Sequence, residues 1–195
     1  MSWENLLGSE SLVLEAARKL FPEPTAVQSS VIPQALLGHD ILARARTGSG
    51  KTAAYIIPIV AQILHQSAPK EFSTLVLVPT RELCAQVKAQ FDAIGSKYGI
   101  VTMQLGQEIT TKTTITLLQT TKPAVVIGTP DVVQNIVRSP SLKREMGHSI
   151  LDKVRFFVVD EADIQLGLQH RPEIETVLNG LAQTHQSFLM SATLG

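Results

Sequence analysis

The sequence predicts an α/β fold: a mostly parallel sheet with helices on both faces. Two observations predict it. Short continuous apolar runs, most of them ending in Gly, Pro, Asp or Ser, alternate with longer segments that repeat their apolar residues every three to four positions. A run apolar throughout suits a strand buried on both faces, and strand–helix alternation requires crossover connections. The runs are Ile41-Leu42-Ala43, residues 75–78, 125–127, 156–159 and 188–190, with a weaker one at 101–105. Helices are expected over 11–20, 25–37, 51–65, 81–94 and 172–182. Pro58 should kink the third of these or sit where a neighbour relieves the lost hydrogen bond. Pro172 suits a first helical position.

Composition removes other classes. The 195 residues carry 17 basic and 17 acidic groups, and 44% are hydrophobic, which excludes a disordered polyelectrolyte. The charges are even along the chain: nine basic and eight acidic in residues 1–98, eight and nine in 99–195. No composition shift marks a boundary, so one domain over 1–195 is expected. Neutrality argues against bulk electrostatic attachment to nucleic acid, so any such contact must be local. A single cysteine excludes a disulfide framework. No apolar run approaches the ~18–20 residues that would span a bilayer, so no membrane partner is expected. The N-terminus lacks the basic-then-apolar order of a secretory signal. The five histidines show no paired ligand spacing, so a zinc site is not expected.

In a parallel sheet ligands bind at the carboxyl ends of the strands, so the residues after each strand matter most. After the first comes Ala45-Arg46-Thr47-Gly48-Ser49-Gly50-Lys51-Thr52, opening a helix. Gly48 and Gly50 let successive N–H groups face a phosphate, and the helix N-terminus adds partial positive charge. Lys51 would reach the β- and γ-phosphates, and Thr52 would ligate Mg²⁺. After residues 156–159 comes Asp160-Glu161-Ala162-Asp163. Asp160 would hold Mg²⁺, usually through water, and Glu161 would orient and deprotonate an attacking water.

Ala45 to Thr52, Asp160 to Asp163, Pro79-Thr80-Arg81-Glu82-Leu83 and Ser191-Ala192-Thr193 together resemble the signatures of the DEAD-box RNA helicases. The resemblance runs from Trp3 to the end and implies an N-terminal RecA-like P-loop lobe that couples ATP hydrolysis, with Mg²⁺, to RNA unwinding or ribonucleoprotein remodelling. Residues 1–28 include a segment, Phe21 to Gln28, similar to the adenine-reading Q motif. Gln28 would match the adenine edge and Phe21 would stack on the base, although Leu20 stands where the family has Gly. Trp3 is expected to pack against this segment. The resemblance assigns Arg46, Thr47, Gly48, Ser49, Gly50, Lys51 and Thr52 to the nucleotide, and Pro79, Thr80, Arg81, Gly106, Thr129 and Pro130 to RNA. It makes Asp163, Ser191 and Thr193 the coupling network.

The RNA side departs from the pattern. Asp131-Val132 replaces the usual Gly-Arg, only Gly106 after Leu105 survives of a double glycine, and Ile164-Gln165-Leu166 replaces Arg-Met-Leu. An anion at position 131 would repel phosphate. Cys84 replaces Ala and is expected to be a buried, reduced thiol. Arg44 beside Arg46, with Phe188-Leu189-Met190-Ser191, is similar to a nucleolar subgroup linked to large-ribosomal-subunit assembly, which implies an intracellular setting, nuclear or nucleolar if that subgroup resemblance holds and otherwise cytoplasmic. The family's second RecA-like lobe, carrying an arginine finger, begins beyond Thr193, so the chain is expected to be weakly active alone. The alternatives are a nucleotide- or partner-binding module without turnover, and another P-loop ATPase such as a DNA helicase. Asp163 and Gln28 argue against the last.

Overall fold

The computed structural model describes residues 1–65, 71–106, 109–167 and 170–192. Among the described residues, six strands form one sheet in the order β1-β6-β5-β2-β4-β3, and every pairing is parallel. The strands are β1 (Ile41–Arg44), β2 (Thr74–Leu77), β3 (Thr102–Gln104), β4 (Val125–Gly128), β5 (Phe156–Val159) and β6 (Gln186–Ser191). All six expected strands are present, the weak one shortened to Thr102–Gln104.

The helices before β2 are α1 (Trp3–Leu7), α2 (Leu14–Leu20), α3 (Ala26–Leu36) and α4 (Lys51–His65). After β2 come α5 (Arg81–Gly95), α6 (Thr111–Thr121), α7 (Pro130–Arg138), α8 (Pro140–Met146), α9 (Ala162–Gln165) and α10 (Arg171–Gly180). The expected helix over 11–20 starts only at Leu14, with Val13 as its buried N-cap, and the one over 172–182 stops at Gly180. α4 runs through Pro58 unbroken, and the proline is buried there.

Period-two alternation in the strands feeds two cores. Val76, Val125, Ile127, Phe156, Val158, Phe188 and Met190 pack with the helices of the N-terminal third and α5. Leu75, Leu77, Val126, Phe157 and Val159 face the other way, onto α6, α7, α8 and α10. The sheet is therefore covered on both sides, as its apolar runs require. Trp3 is buried and donates its indole N–H to the Phe21 carbonyl at 2.8 Å, so it packs against that segment as expected. No described helix is long and apolar enough to cross a membrane.

Phe188 is fully buried on β6, between β1 and β5. Phe188→Ala is expected to lower the unfolding free energy by about 3–5 kcal/mol, read from urea denaturation midpoints. A loss under about 1 kcal/mol would mean the core collapses around the deletion.

Candidate functional site

β1 and β5 are separated only by β6, so their carboxyl ends lie about 10 Å apart, two strand spacings. The loop after β1 turns at Gly48 and Gly50, with φ of +79° and +82°. At Gly50 a Cβ would come within 2.5 Å of Gln28 Nε2, so both conformation and space demand glycine. The loop ends in α4, whose first residue, Lys51, reaches back across the gap. Its ammonium stands 2.9 Å from Glu161 Oε1 and 3.8 Å from Asp160 Oδ1. Lys51 and Asp160 are both buried. Buried opposite charges need such pairing, because removing one partner strands the other away from water.

The acidic turn is braced from several sides. Asp160 Oδ1 accepts the Glu161 backbone N–H at 2.8 Å, and Oδ2 accepts the Tyr55 hydroxyl at 2.8 Å. Glu161 sits in the left-handed region, at φ +50° and ψ +47°, which is uncommon for a residue with a side chain. The Asp160 carboxylate on its N–H helps hold that conformation. Gln165, fully buried, donates through Nε2 to the Leu77 carbonyl at 2.8 Å and to the Asp160 carbonyl. It ties the ends of β2 and β5 together from α9. Burial pushes the Asp160 carboxyl above its ordinary value, opposed by the Tyr55 hydroxyl and by Lys51.

A cleft of about 300 Å³ opens over this group, lined among others by Phe21, Thr47, Gly48, Gly50, Lys51, Thr52, Asp160 and Glu161. Gln86 and Gln90 of α5 also line it, and no sequence signal singled them out. Arg46 and Ser49 face a different groove, between β1 and α3. Gln28 is not on the cleft surface but fully buried. Its Oε1 accepts the Thr25 N–H at 3.0 Å, closing a capping box at the start of α3, and its Nε2 donates to the Gly50 carbonyl at 3.2 Å. Each amide atom keeps a second hydrogen-bonding site. Gln28 thus ties the Phe21–Gln28 segment to the phosphate loop.

The second expected group gathers on the other half of the sheet. Pro79, Thr80 and Arg81 follow β2, Thr129 and Pro130 follow β4, and Gly106 follows β3. All but Pro130 line one cavity of about 330 Å³, together with Cys84, Asp131 and His170. Pro130 is buried as the first residue of α7. Two helix N-termini open into this cavity. Thr80 caps α5 through its own hydroxyl, which accepts the Leu83 N–H at 3.2 Å. Thr129 is the N-cap residue of α7, but its hydroxyl makes no capping bond and donates instead to Asp131 Oδ1 at 2.6 Å. Cys84 is buried, and burial pushes its thiol up to about 12, with the Asp131 and Glu82 charges adding to the rise.

Of the coupling residues, Asp163 stands in the first turn of α9, which packs against β6, and Ser191 is the buried last residue of β6. Thr193 lies outside the described residues. Tyr55 is a further residue of the site, outside the sequence motifs. Its signal was a polar aromatic three residues after Thr52, on the same face of an otherwise apolar helix.

Fold and site together define a P-loop domain: parallel sheet, glycine turn into a helix, and an acidic turn facing the helix-start lysine. A DEAD/DEAH box helicase family model matches residues 25–195, and the chain belongs to that family. It is 39% identical over 194 residues to "Probable ATP-dependent RNA helicase ddx56" of Dictyostelium discoideum, covering 96% of this chain and 27% of that one. It is 37% identical over 185 residues to "ATP-dependent rRNA helicase RRP3" of Scheffersomyces stipitis, covering 93% of this chain and 36% of that one. The chain therefore spans about a third of the length of these relatives. The solved structure of Mss116p bound to ssRNA and AMP-PNP superposes with a TM-score of 0.84 at 26% identity, covering all of this chain and 41% of that one.

Two outcomes follow. A carboxyl raised on folding stabilises the fold below its unfolded value and loses that contribution as pH rises through the folded value. Asp160 is such a group, and Lys51 opposes its rise. Lys51→Met is therefore expected to lower thermal stability more at about pH 7 than at about pH 4. An equal loss at both would show that the ammonium does not offset the carboxylate. The Cys84 thiol, in turn, is expected to resist an aromatic disulfide reagent at about pH 8 and to react once denaturant is added. Fast labelling of the folded chain would contradict its burial.

Proposed function

We propose that this chain is the ATP-binding lobe of an ATP-dependent RNA helicase, coupling ATP hydrolysis to duplex unwinding or ribonucleoprotein remodelling. The observation that carries the reading is Lys51 wedged between Glu161 and Asp160 at the phosphate-loop cleft. With a nucleotide bound, Lys51 swings from the carboxylates to the β- and γ-phosphates. That releases Glu161 to take the proton of the attacking water. The loop N–H groups around Gly48 and Gly50 hold the phosphate oxygens. Phe21, on the cleft wall, stacks on adenine, and Gln28 reads the base edge with the second hydrogen-bonding site of each amide atom.

The donors fit Mg²⁺. The Thr52 hydroxyl and Asp160 carboxylate are hard oxygen ligands of the kind it takes, and the Lys51 ammonium already places a cation beside Asp160 Oδ1. Held by these residues, Mg²⁺ would supply positive charge that offsets the charge of the phosphates.

Pro79, Thr80, Arg81, Gly106, Thr129 and Pro130 hold the RNA backbone, through α5's N-terminus above all. Asp163, Ser191 and Thr193 link the nucleotide cleft to that grip. A second RecA-like lobe is the partner that supplies an arginine finger, worth roughly 10³–10⁵ in rate in P-loop enzymes. The rRNA in the name of the RRP3 relative supports a ribosomal RNA substrate, and the resemblance at Arg44, Arg46 and Phe188 to Ser191 supports a nucleolar role in large-subunit assembly.

The test is RNA-stimulated ATP hydrolysis by this chain, by a longer chain carrying a second lobe, and by Glu161→Gln in each. The longer chain is expected to be stimulated and this one to bind ATP with little turnover. Glu161→Gln should keep nucleotide affinity and lose turnover by about 10²–10⁴-fold. Robust unwinding by the 195 residues alone would overturn the need for a second lobe, and equal use of GTP would overturn the role of Gln28 in reading adenine. Asp131→Gly is expected to tighten single-stranded RNA binding and steepen its salt dependence, measured by fluorescence anisotropy. Unchanged binding would remove Asp131 from the RNA path.

A further inference from the structure

We infer that Tyr55 is a positioning residue for Asp160, the carboxylate of the metal-holding set, an inference that rests on the nucleotide–Mg²⁺ reading above. A carboxylate can turn about its last torsion and exchange its two oxygens. In this chain that exchange is blocked. Tyr55 donates to Oδ2 at 2.8 Å, while Oδ1 accepts the Glu161 N–H and stands 3.8 Å from the Lys51 ammonium. Oδ2 is therefore committed to the helix side, and Oδ1 is presented to the position a cation takes.

Tyr55 lies one helical turn after Thr52, on the same side of α4. The phenol thus joins α4, the helix that carries Thr52, to Asp160 at the end of β5 across the gap. Tyr55 is fully buried, and Asp160 nearly so, so no water stands ready to replace the phenol. A ligating carboxylate whose outer partner is removed loses orientation, and such losses cost roughly 10–100-fold in metal affinity. The phenol does not touch the nucleotide cleft: Tyr55 is absent from its lining. Its effect should therefore pass through the metal and not through the nucleotide directly.

The experiment is a fluorescent (N-methylanthraniloyl) ADP titration of the 195-residue chain, with EDTA and across a Mg²⁺ series, for the unaltered chain and Tyr55→Phe. In EDTA the two should bind equally. The Mg²⁺ concentration giving half of the affinity gain should rise about tenfold in Tyr55→Phe. In an Asp160→Asn background the same substitution should change nothing further, because the phenol acts through that carboxylate. An unchanged Mg²⁺ midpoint, or an equal loss with and without Mg²⁺, would overturn the inference. So would a Tyr55→Phe chain that no longer folds by circular dichroism, since that assigns the phenol to the core. If the unaltered chain binds no adenine nucleotide under any condition, the failure belongs to the nucleotide reading instead.

Discussion

A parallel sheet cannot be built from hairpins; each strand must be reached by a crossover that returns to the same end. In this chain the constraint gathers every carboxyl end of the sheet at one edge, where the backbone must turn into the next helix. The order β1-β6-β5-β2-β4-β3 then sorts those turns. The phosphate loop, Ser191 and the acidic turn share the β1-β6-β5 half. The turns after β2, β4 and β3 share the other half, around the second cavity. The two groups meet between β5 and β2, where Gln165 bridges the Asp160 and Leu77 carbonyls. Residues more than a hundred positions apart become neighbours because the strands that carry them are neighbours.

Within the first half, charge compensation at Asp160 shapes the rest. A buried carboxylate without partners would not stay ionised, and its folded value is already raised. Lys51, Tyr55 and the Glu161 N–H together keep it available as an anion. They are supplied by the start of α4, its second turn and the chain's own next residue. The left-handed Glu161 is one consequence, since the turn that gives its N–H to Asp160 also aims its side chain at Lys51. The buried amide of Gln28 is the counterpart on the other side of the loop, holding the Gly50 carbonyl.

The strands and the first-rank site residues were legible because they obey short-range rules. Apolar runs buried on both faces stand out, and so do glycines before a lysine that opens a helix. α4 was read to its ends, since nearly every turn of it is buried. What escaped has physical reasons. α6 is a threonine-rich helix, TKTTITLLQTT, whose β-branched residues argue against helix; tertiary packing of Ile115 and Leu118 overrides that. α1, α8 and α9 are four to seven residues long, too short to show a period. α7 was hidden behind the Thr129-Pro130 motif, although Val132, Val133 and Ile136 carry its buried stripe. The bracing residues were less legible still. Gln28 was read as a ligand contact, and its buried structural bonds depend on a loop 22 positions away. Tyr55 and Gln165 act across 105 and 88 positions, which no local pattern reports.

The two halves of the carboxyl edge differ in how they treat their helix N-termini. α4 begins with a glycine turn and a cation, so its field remains directed at whatever anion enters the cleft. α7 begins with Thr129 and Asp131 bonded to each other, so a carboxylate of the chain itself stands at the end where a phosphate would be drawn. Burial raises the Cys84 thiol on the cavity wall, and the Asp131 and Glu82 charges add to the rise. An internal anion held by a 2.6 Å hydroxyl contact competes without paying for its own immobilisation on each encounter. The consequence is an asymmetric lobe: at α4 the Asp160 and Glu161 carboxylates stand beside a lysine that an incoming anion can claim, and at α7 a carboxylate stands at the helix N-terminus itself. α5 also carries an acid in its first turn, Glu82, but its cap hydroxyl on Thr80 is bonded to the Leu83 N–H and not to that carboxylate, which is why the grip on RNA is assigned to it first.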